Sequence, residues 1–216
     1  RDIPIQWCTA SGNLVGWAVS SMGPNGSTRQ LQHIRSHDGC LPLAKEFISS
    51  KIANQATQLR RSGVDPSVTG DLRDYQHLCG NVHDLKELFG LEGRAAAVYF
   101  RNWPFLIKEG QRELWAWNGR SGRPATDPIN SMLNYVYSML VGDEVSSILA
   151  CGLDPNAGFL PSSNRNKPAL ALDLMEEVRA PIGDSVVQTL INCQMIQPSD
   201  FSNELGSVRM NRKARQ

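Results

Sequence analysis

No stretch of this sequence approaches the roughly 18 uninterrupted apolar residues that a membrane-spanning helix needs, and no signal-peptide pattern opens it. The expectation is that it is not a membrane protein. Cysteine is sparse: the five thiols (Cys8, Cys40, Cys79, Cys151, Cys193) are far apart, odd in number and never spaced C-x-x-C. That excludes a disulfide framework or a zinc ribbon, fits a reducing cytoplasm, and makes each thiol an expected small buried hydrophobe. The four histidines (His33, His37, His77, His83) show neither H-E-x-x-H nor H-x-H spacing, which excludes a zinc site built from histidine alone. Charge of one sign is also missing. Lys+Arg 22 against Asp+Glu 21 leaves a net charge of +1, so whole-chain charge neither predicts nor excludes a nucleic-acid partner. There is no internal repeat or low-complexity tract, and the first residue is Arg1 rather than methionine, so a piece of a longer protein is expected.

What is present is enough for a substantial core. Hydrophobic residues make up 41% of 216, consistent with one large domain or a main domain with a small appendage. Residues 3–8 alternate apolar and polar, Ser11-Gly12-Asn13 supplies a turn, and Leu14 to Val19 follows, which reads as two strands. Two strands cannot bury a sheet face alone, so residues 1–25 are expected to be the end of a β domain and its linker. Beyond them, residues 26–216 read as helical. Over 43–60, Ala44, Phe47, Ile48, Ile52, Ala56 and Leu59 recur at three- and four-residue intervals. A second run covers 70–89 with an interruption near Gly80, and a third covers 91–103. Asp127-Pro128 reads as an N-cap followed by proline at the first helical position, ahead of the stripe Ile129, Leu133, Val136, Leu140. Shorter runs follow at 144–151, 169–178 and 184–195, and the basic tail 209–216 reads as a loose end. The fold class is mainly α, with a short β remnant in front.

Three places put charge where helix packing does not need it. Glu92 stands at the start of the 91–103 run, in line with Ala96, Tyr99 and Trp103; from spacing alone it is an acid favouring a helix N-terminus. In 169–178, Ala171, Leu174, Met175 and Val178 fall on one side, and Asp173, Glu176 and Glu177 on the other, where a solvated acidic face is the plain reading. The approach to that helix, residues 152–161, carries two glycines and two prolines and fixes a turn-rich path.

The wording and order of these segments are similar to one family. Leu91-Glu92-Gly93 leads to Tyr99-Phe100; Asp127-Pro128-Ile129-Asn130 leads to Leu133-Asn134-Tyr135-Val136-Tyr137; Gly152-Leu153-Asp154-Pro155 leads to Gly158-Phe159-Leu160; and Leu170-Ala171-Leu172-Asp173-Leu174-Met175-Glu176-Glu177-Val178-Arg179 closes the series. Together with Arg29 to His33 and Lys51-Ile52-Ala53-Asn54-Gln55, they resemble the CRISPR-associated spacer integrase, the endonuclease of CRISPR adaptation, from Asp2 to about Val208. The resemblance implies an N-terminal β domain, largely absent here, and a helical catalytic domain. It implies a homodimer that assembles with a small ferredoxin-like subunit and joins the 3′-hydroxyl ends of short double-stranded DNA (the spacer precursor) into a repeat array by transesterification. It implies Mg²⁺ or Mn²⁺ held by a glutamate, a histidine and an acidic residue. The glutamate falls on Glu92, the acidic ligand on Glu176, and Asp173 is a supporting carboxylate. The position of the histidine is Pro161, which has no side-chain lone pair.

The residue types suit that chemistry whatever the name. Phosphodiester transfer needs an activated attacking oxygen and a neutralised leaving oxygen, and hard carboxylate oxygens suit Mg²⁺ and Mn²⁺. Among the cations near these segments, Arg94, Arg165, Lys167 and Arg179 are the expected phosphate contacts. Trp103, Trp115 and Trp117 suit either base stacking or the core. Two functional readings stay open at this point: a metal-dependent integrase of the cytoplasm, or a non-catalytic DNA-binding relative disabled at Pro161.

Overall fold

The computed structural model describes residues 5–9, 14–18, 26–37, 39–160, 167–204 and 206–215. Strands β1 (Ile5–Cys8) and β2 (Leu14–Ala18) pair antiparallel, with Trp7 opposite Gly16. Helices α1 (Gly26–His37), α2 (Leu41–Arg61), α3 (Pro66–Leu78), α4 (Leu85–Asn102), the single turn α5 (Glu109–Arg112), α6 (Pro128–Ala150), α7 (Ala169–Val178) and α8 (Ser185–Asn192) follow. A second antiparallel hairpin, β3 (Phe201–Glu204) and β4 (Ser207–Met210), comes last. The chain is mainly α, with the short β element in front that the sequence predicts.

Local chemistry places the helix starts. Asp65, Asp84 and Asp127 each accept a hydrogen bond from a first-turn backbone N–H at 2.8 Å, and Pro66 and Pro128 sit where no N–H donor is needed. Every residue of the stripe predicted for α2 is buried. The helix lies at the centre, packed against α3, α4 and α7. Of the α6 stripe, Ile129, Leu133 and Leu140 are buried and Val136 is half-buried. Farther along α6, Val145 and Ile148 join Leu170 and Ala171 of α7 in a second cluster, on which Leu14 and Trp17 of β2 rest.

Several sequence boundaries shift. The chain breaks at a 3-10 turn, Cys79–Asn81, and α4 then runs unbroken past Gly90, whose added Cβ would meet only the Arg94 side chain within 4 Å. The 144–151 run is the second half of α6, because Gly142 continues the helix instead of ending it. α1 carried no apolar face to find, since Leu31 and Ile34 are exposed. Residues 209–210 belong to β4 and Lys213–Arg215 form a 3-10 turn, so the tail is not loose there. Only Cys79 is a buried thiol; Cys8, Cys151 and Cys193 are exposed because they stand at the ends of β1, α6 and α8.

α7 and α8 are joined by a π-helical turn, Arg179–Asp184, containing Pro181. Asp184, 1% exposed, accepts from Tyr99 Oη and from Tyr137 Oη, each at 2.5 Å. This knot ties α4, α6 and the π turn together. Gly183 permits it, because a Cβ there would come within 2.9 Å of the Tyr137 ring. Burial pushes the Asp184 carboxyl up to about 6, against the lowering effect of the two hydroxyls and of Arg179 and Arg120. The folded chain thus holds this proton more tightly than the unfolded one. Its contribution is fully present below the ordinary value of 3.8 and is lost as pH rises through about 6. Between pH 4 and 7, urea denaturation of the parent should lose on the order of 3 kcal/mol more unfolding free energy than that of Asp184→Asn; identical profiles would remove Asp184 from the linkage.

Candidate functional site

The centre of the site is a lysine inside the core. Lys51, midway along α2 and 7% exposed, is flanked by buried Ile48 and Ile52. Its ammonium bonds Glu92 Oε1 of α4 and meets Glu176 Oε2 of α7 at 2.7 Å. The carboxylates arrive because each sits among buried neighbours on its own helix: Leu88, Ala95 and Tyr99 around Glu92, Ala171 and Met175 around Glu176. Arg179, the first residue of the π turn, grips the other oxygen, Glu176 Oε1, at 2.8 Å, and stacks its guanidinium 4.8 Å over the Tyr137 ring. Burial would raise the Glu176 carboxyl, but Lys51 and Arg179 outweigh it and hold the group below its ordinary value.

Asp173, one turn before Glu176, does a different task. It is 4% exposed, and Oδ2 accepts from the backbone N–H groups of Phe159 at 2.6 Å and Leu160 at 3.0 Å. Burial raises it to about 6, against those two bonds. Gly158 makes the approach possible, since a Cβ there would lie 2.7 Å from that same oxygen. The loop is held from the other side by α1. Gln32 donates to the carbonyls of Asp154 and Ala157 at 2.7 and 2.9 Å and accepts from Asp154 N at 2.9 Å. Arg29 donates to Gly152 O at 3.0 Å, His33 pairs with Asp154 at 3.1 Å, and Ser36 donates to Gly158 O at 2.5 Å. The side of α7 expected to face water is therefore enclosed, by α2 at Glu176 and by the loop at Asp173.

The other predicted residues are spread differently. Arg94 is exposed on α4, two residues from Glu92 and so on nearly the opposite side of the helix, 5.7 Å over the Tyr75 ring. Lys167 is exposed just before α7, while Arg165 and Pro161 lie outside the described residues. Arg179 is half-buried and engaged with Glu176 and Tyr137. Trp103 and Trp115 are buried, and Trp117 stacks on Trp103 at 5.1 Å, which places them in the core rather than at a base-stacking surface. Lys51 and Asp184 were not singled out for any role from sequence. The usable signal is a row of polar residues, Lys51, Gln55 and Gln58, at spacings of four and three beside the apolar stripe of α2.

Two carboxylates that already share one cation are a suitable donor pair for a hard divalent ion whose shell is completed by water or phosphate oxygens. Among the described residues no group of three His, Cys, Asp or Glu forms a closed metal cage. One helical turn beyond Lys51, Gln55 Oε1 is buried without a hydrogen-bond partner. The pair thus fits an ion of the Mg²⁺ class, one that must displace or sit beside the Lys51 ammonium.

Comparison with known proteins gives a family. The family model for CRISPR associated protein Cas1 matches residues 1–216. The chain is 35% identical, over 227 aligned residues and all of its length, to a CRISPR-associated exonuclease Cas4/endonuclease Cas1 fusion of Geobacter sulfurreducens, and spans 41% of that relative. Among solved structures, a casposase bound to integration product aligns with a TM-score of 0.78 at 23% identity, over 98% of this chain and 60% of that one. The Cas6-RT-Cas1--Cas2 complex contains a chain that aligns with a TM-score of 0.80 at 23% identity, over 99% of this chain and 24% of that one.

Removing the shared ammonium takes a partner from the largely enclosed Glu176 and from the half-buried Glu92. Lys51→Met should cost about 3 kcal/mol of unfolding free energy at pH 7. Glu176 is depressed in the folded state, so its contribution is present above its ordinary value and lost as pH falls. The gap between Lys51→Met and the parent in chemical denaturation should therefore shrink on acidification toward pH 4. A gap that stays constant with pH would show that the ammonium acts only as packing.

Proposed function

Because the chain belongs to the CRISPR-associated Cas1 family, we propose that it carries the DNA-joining centre of a CRISPR adaptation integrase. The observation that carries this reading is the convergence of Glu92 and Glu176, from two separate helices, on one enclosed cation. Residues 26–216 form the catalytic domain, and the β1–β2 hairpin within residues 1–25 is the end of a β domain. The substrates are the 3′-hydroxyl ends of a short duplex and a repeat array. One P–O bond forms at the attacking 3′ oxygen as another breaks, and the displaced strand leaves with the proton as a new 3′-hydroxyl. A homodimer with a small ferredoxin-like subunit is the assembly that presents both ends.

The roles divide among the residues already placed. Glu92 and Glu176 hold Mg²⁺ or Mn²⁺, which when bound supplies Lewis-acid activation of the attacking oxygen and neutralises the leaving one. Lys51 keeps the two carboxylates together beforehand, and its ammonium is then available to a phosphate oxygen. Arg179 fixes one oxygen of Glu176, so that the other points toward Glu92. Asp173 works through the backbone of Phe159 and Leu160, fixing the end of the loop that α1 holds from the other side. Lys167, exposed just before α7, and Arg165 contribute phosphate contacts, and Arg94 does so from the far side of α4.

A second reading has its own support: Lys51 and Arg179 already neutralise the pair, and Pro161 stands where the family has a ligand histidine. On that reading the chain is an architectural DNA binder. Strand transfer separates the two, using labelled short duplex with 3′-hydroxyl ends, supercoiled target and Mn²⁺. Joined product from the parent and at least 100-fold less from Glu92→Ala is the expected result, in line with loss of a main transition-state stabiliser. Product from Pro161→His alone, with DNA binding unchanged by Glu92→Ala, would establish the architectural reading.

A further inference from the structure

On a side of the fold built from other elements lies an open groove of about 640 Å³, formed by the first half of α6, the loop 123–125, β4 and the turn that follows it. Val208 N donates to Ala125 O at 2.9 Å and pins the hairpin over the loop. Three of the lining side chains are Arg123, Arg209 and Arg215, and none is a carboxylate. Two of the three, Arg209 and Arg215, sit in a segment of one sign, which also holds Arg212 and Lys213 and has no acidic residue from 205 to 216. Each arginine is held by part of its guanidinium. Arg123 donates to Ser138 Oγ, and Arg215 donates through Nε and one Nη to Met210 O at 2.9 and 2.7 Å. Arg209 is paired with Glu204 at 3.5 Å, but both side chains are more than half exposed, so water screens that pair heavily. Ser131 and Asn134 also line the groove, Asn134 being held by Arg120 and by the carbonyl of Gly122 at 2.7 Å each.

We propose that this groove is a binding site for the phosphodiester backbone of a DNA strand, separate from the carboxylate centre. It rests on the reading that the chain handles DNA. Arginine forks match phosphate oxygens bidentately, and three of them lining one groove match a chain of phosphates better than a single anion. An acidic polypeptide would be drawn by the same charge, and competition by poly-glutamate separates it from DNA. None of the groove's residues lies on α2, α4 or α7, so the groove can hold a second stretch of DNA while the centre holds a reacting end.

The test is salt-dependent fluorescence anisotropy of a labelled duplex with the full chain, Arg123→Gln/Arg209→Gln and Arg123→Lys/Arg209→Lys. Arg215 is left in place because it ties the turn to Met210. The glutamine pair should make the slope of log K against log[salt] shallower by about 1.8, since each lost phosphate contact removes about 0.9, and the lysine pair should restore it. Circular dichroism and strand transfer run on the same samples. An unchanged slope overturns the groove, and if joining persists the integrase reading stands. A shallower slope supports the groove whether or not joining is observed. Displacement of DNA by millimolar inorganic phosphate at fixed ionic strength would assign the groove to a single anion and overturn the proposal. Stronger competition by poly-glutamate than by unlabelled duplex would overturn it in favour of an acidic protein. A parent that binds no DNA overturns both the groove and the integrase reading.

Discussion

The interaction on which the rest of the site depends is the sharing of the Lys51 ammonium by Glu92 and Glu176. Three helices distant in sequence meet there, and none could bring its charge into the interior without the other two. An isolated carboxylate so enclosed would take up a proton rather than stay charged, and an isolated ammonium would lose one. Lys51 and Arg179 together hold the Glu176 carboxyl below its ordinary value against the cost of its burial. The cluster has two cations and two anions, so the interior pays no net-charge penalty.

Around this quartet the structure is built in two supporting layers. One is apolar and general: the predicted stripe of α2 fixes where Lys51 stands relative to α4 and α7. The other is polar and specific. Asn54 donates to Glu177 O at 2.8 Å, Gln58 donates to Gln188 at 2.7 Å, and Ser185 donates back to Gln58 at 3.2 Å. These bonds hold the end of α7, the π turn and α8 against the same central helix. Enclosed polar groups of this kind are costly unless partnered, and partnered they permit only one arrangement of the helices.

The legible parts of the sequence were those governed by one-sided burial. α2 and α6 announced themselves because an apolar stripe and, for α6, an Asp-Pro start point to the same element. The ordered motifs likewise gave Glu92 and Glu176 as a pair. What periodicity could not convey was what stands on the polar side of a helix. Asp173 and Glu176 look solvated on a helical wheel, yet a loop and a second helix cover them. α1 is the inverse case: its apolar Leu31 and Ile34 face outward while Gln32 is 5% exposed, gripping backbone carbonyls that no pattern of side chains reveals. Lys51 was hidden for the same reason, a charge at the margin of an apolar stripe.

The π-helical turn at Arg179–Asp184 has a consequence of phase. α7 and α8 form a nearly continuous rod into which one extra residue has been wound, so the sequence after it is rotated by about 100° relative to an uninterrupted helix. Glu176 lies before that offset and Asp184 after it, and each faces its own partners only because of it. Loss or gain of one residue within this turn would leave the carboxylate quartet in register on one side while turning Asp184 away from both tyrosines on the other. Within this segment, then, length is constrained together with the identities of Arg179, Gly183 and Asp184, and homologous chains should not differ here by insertion or deletion.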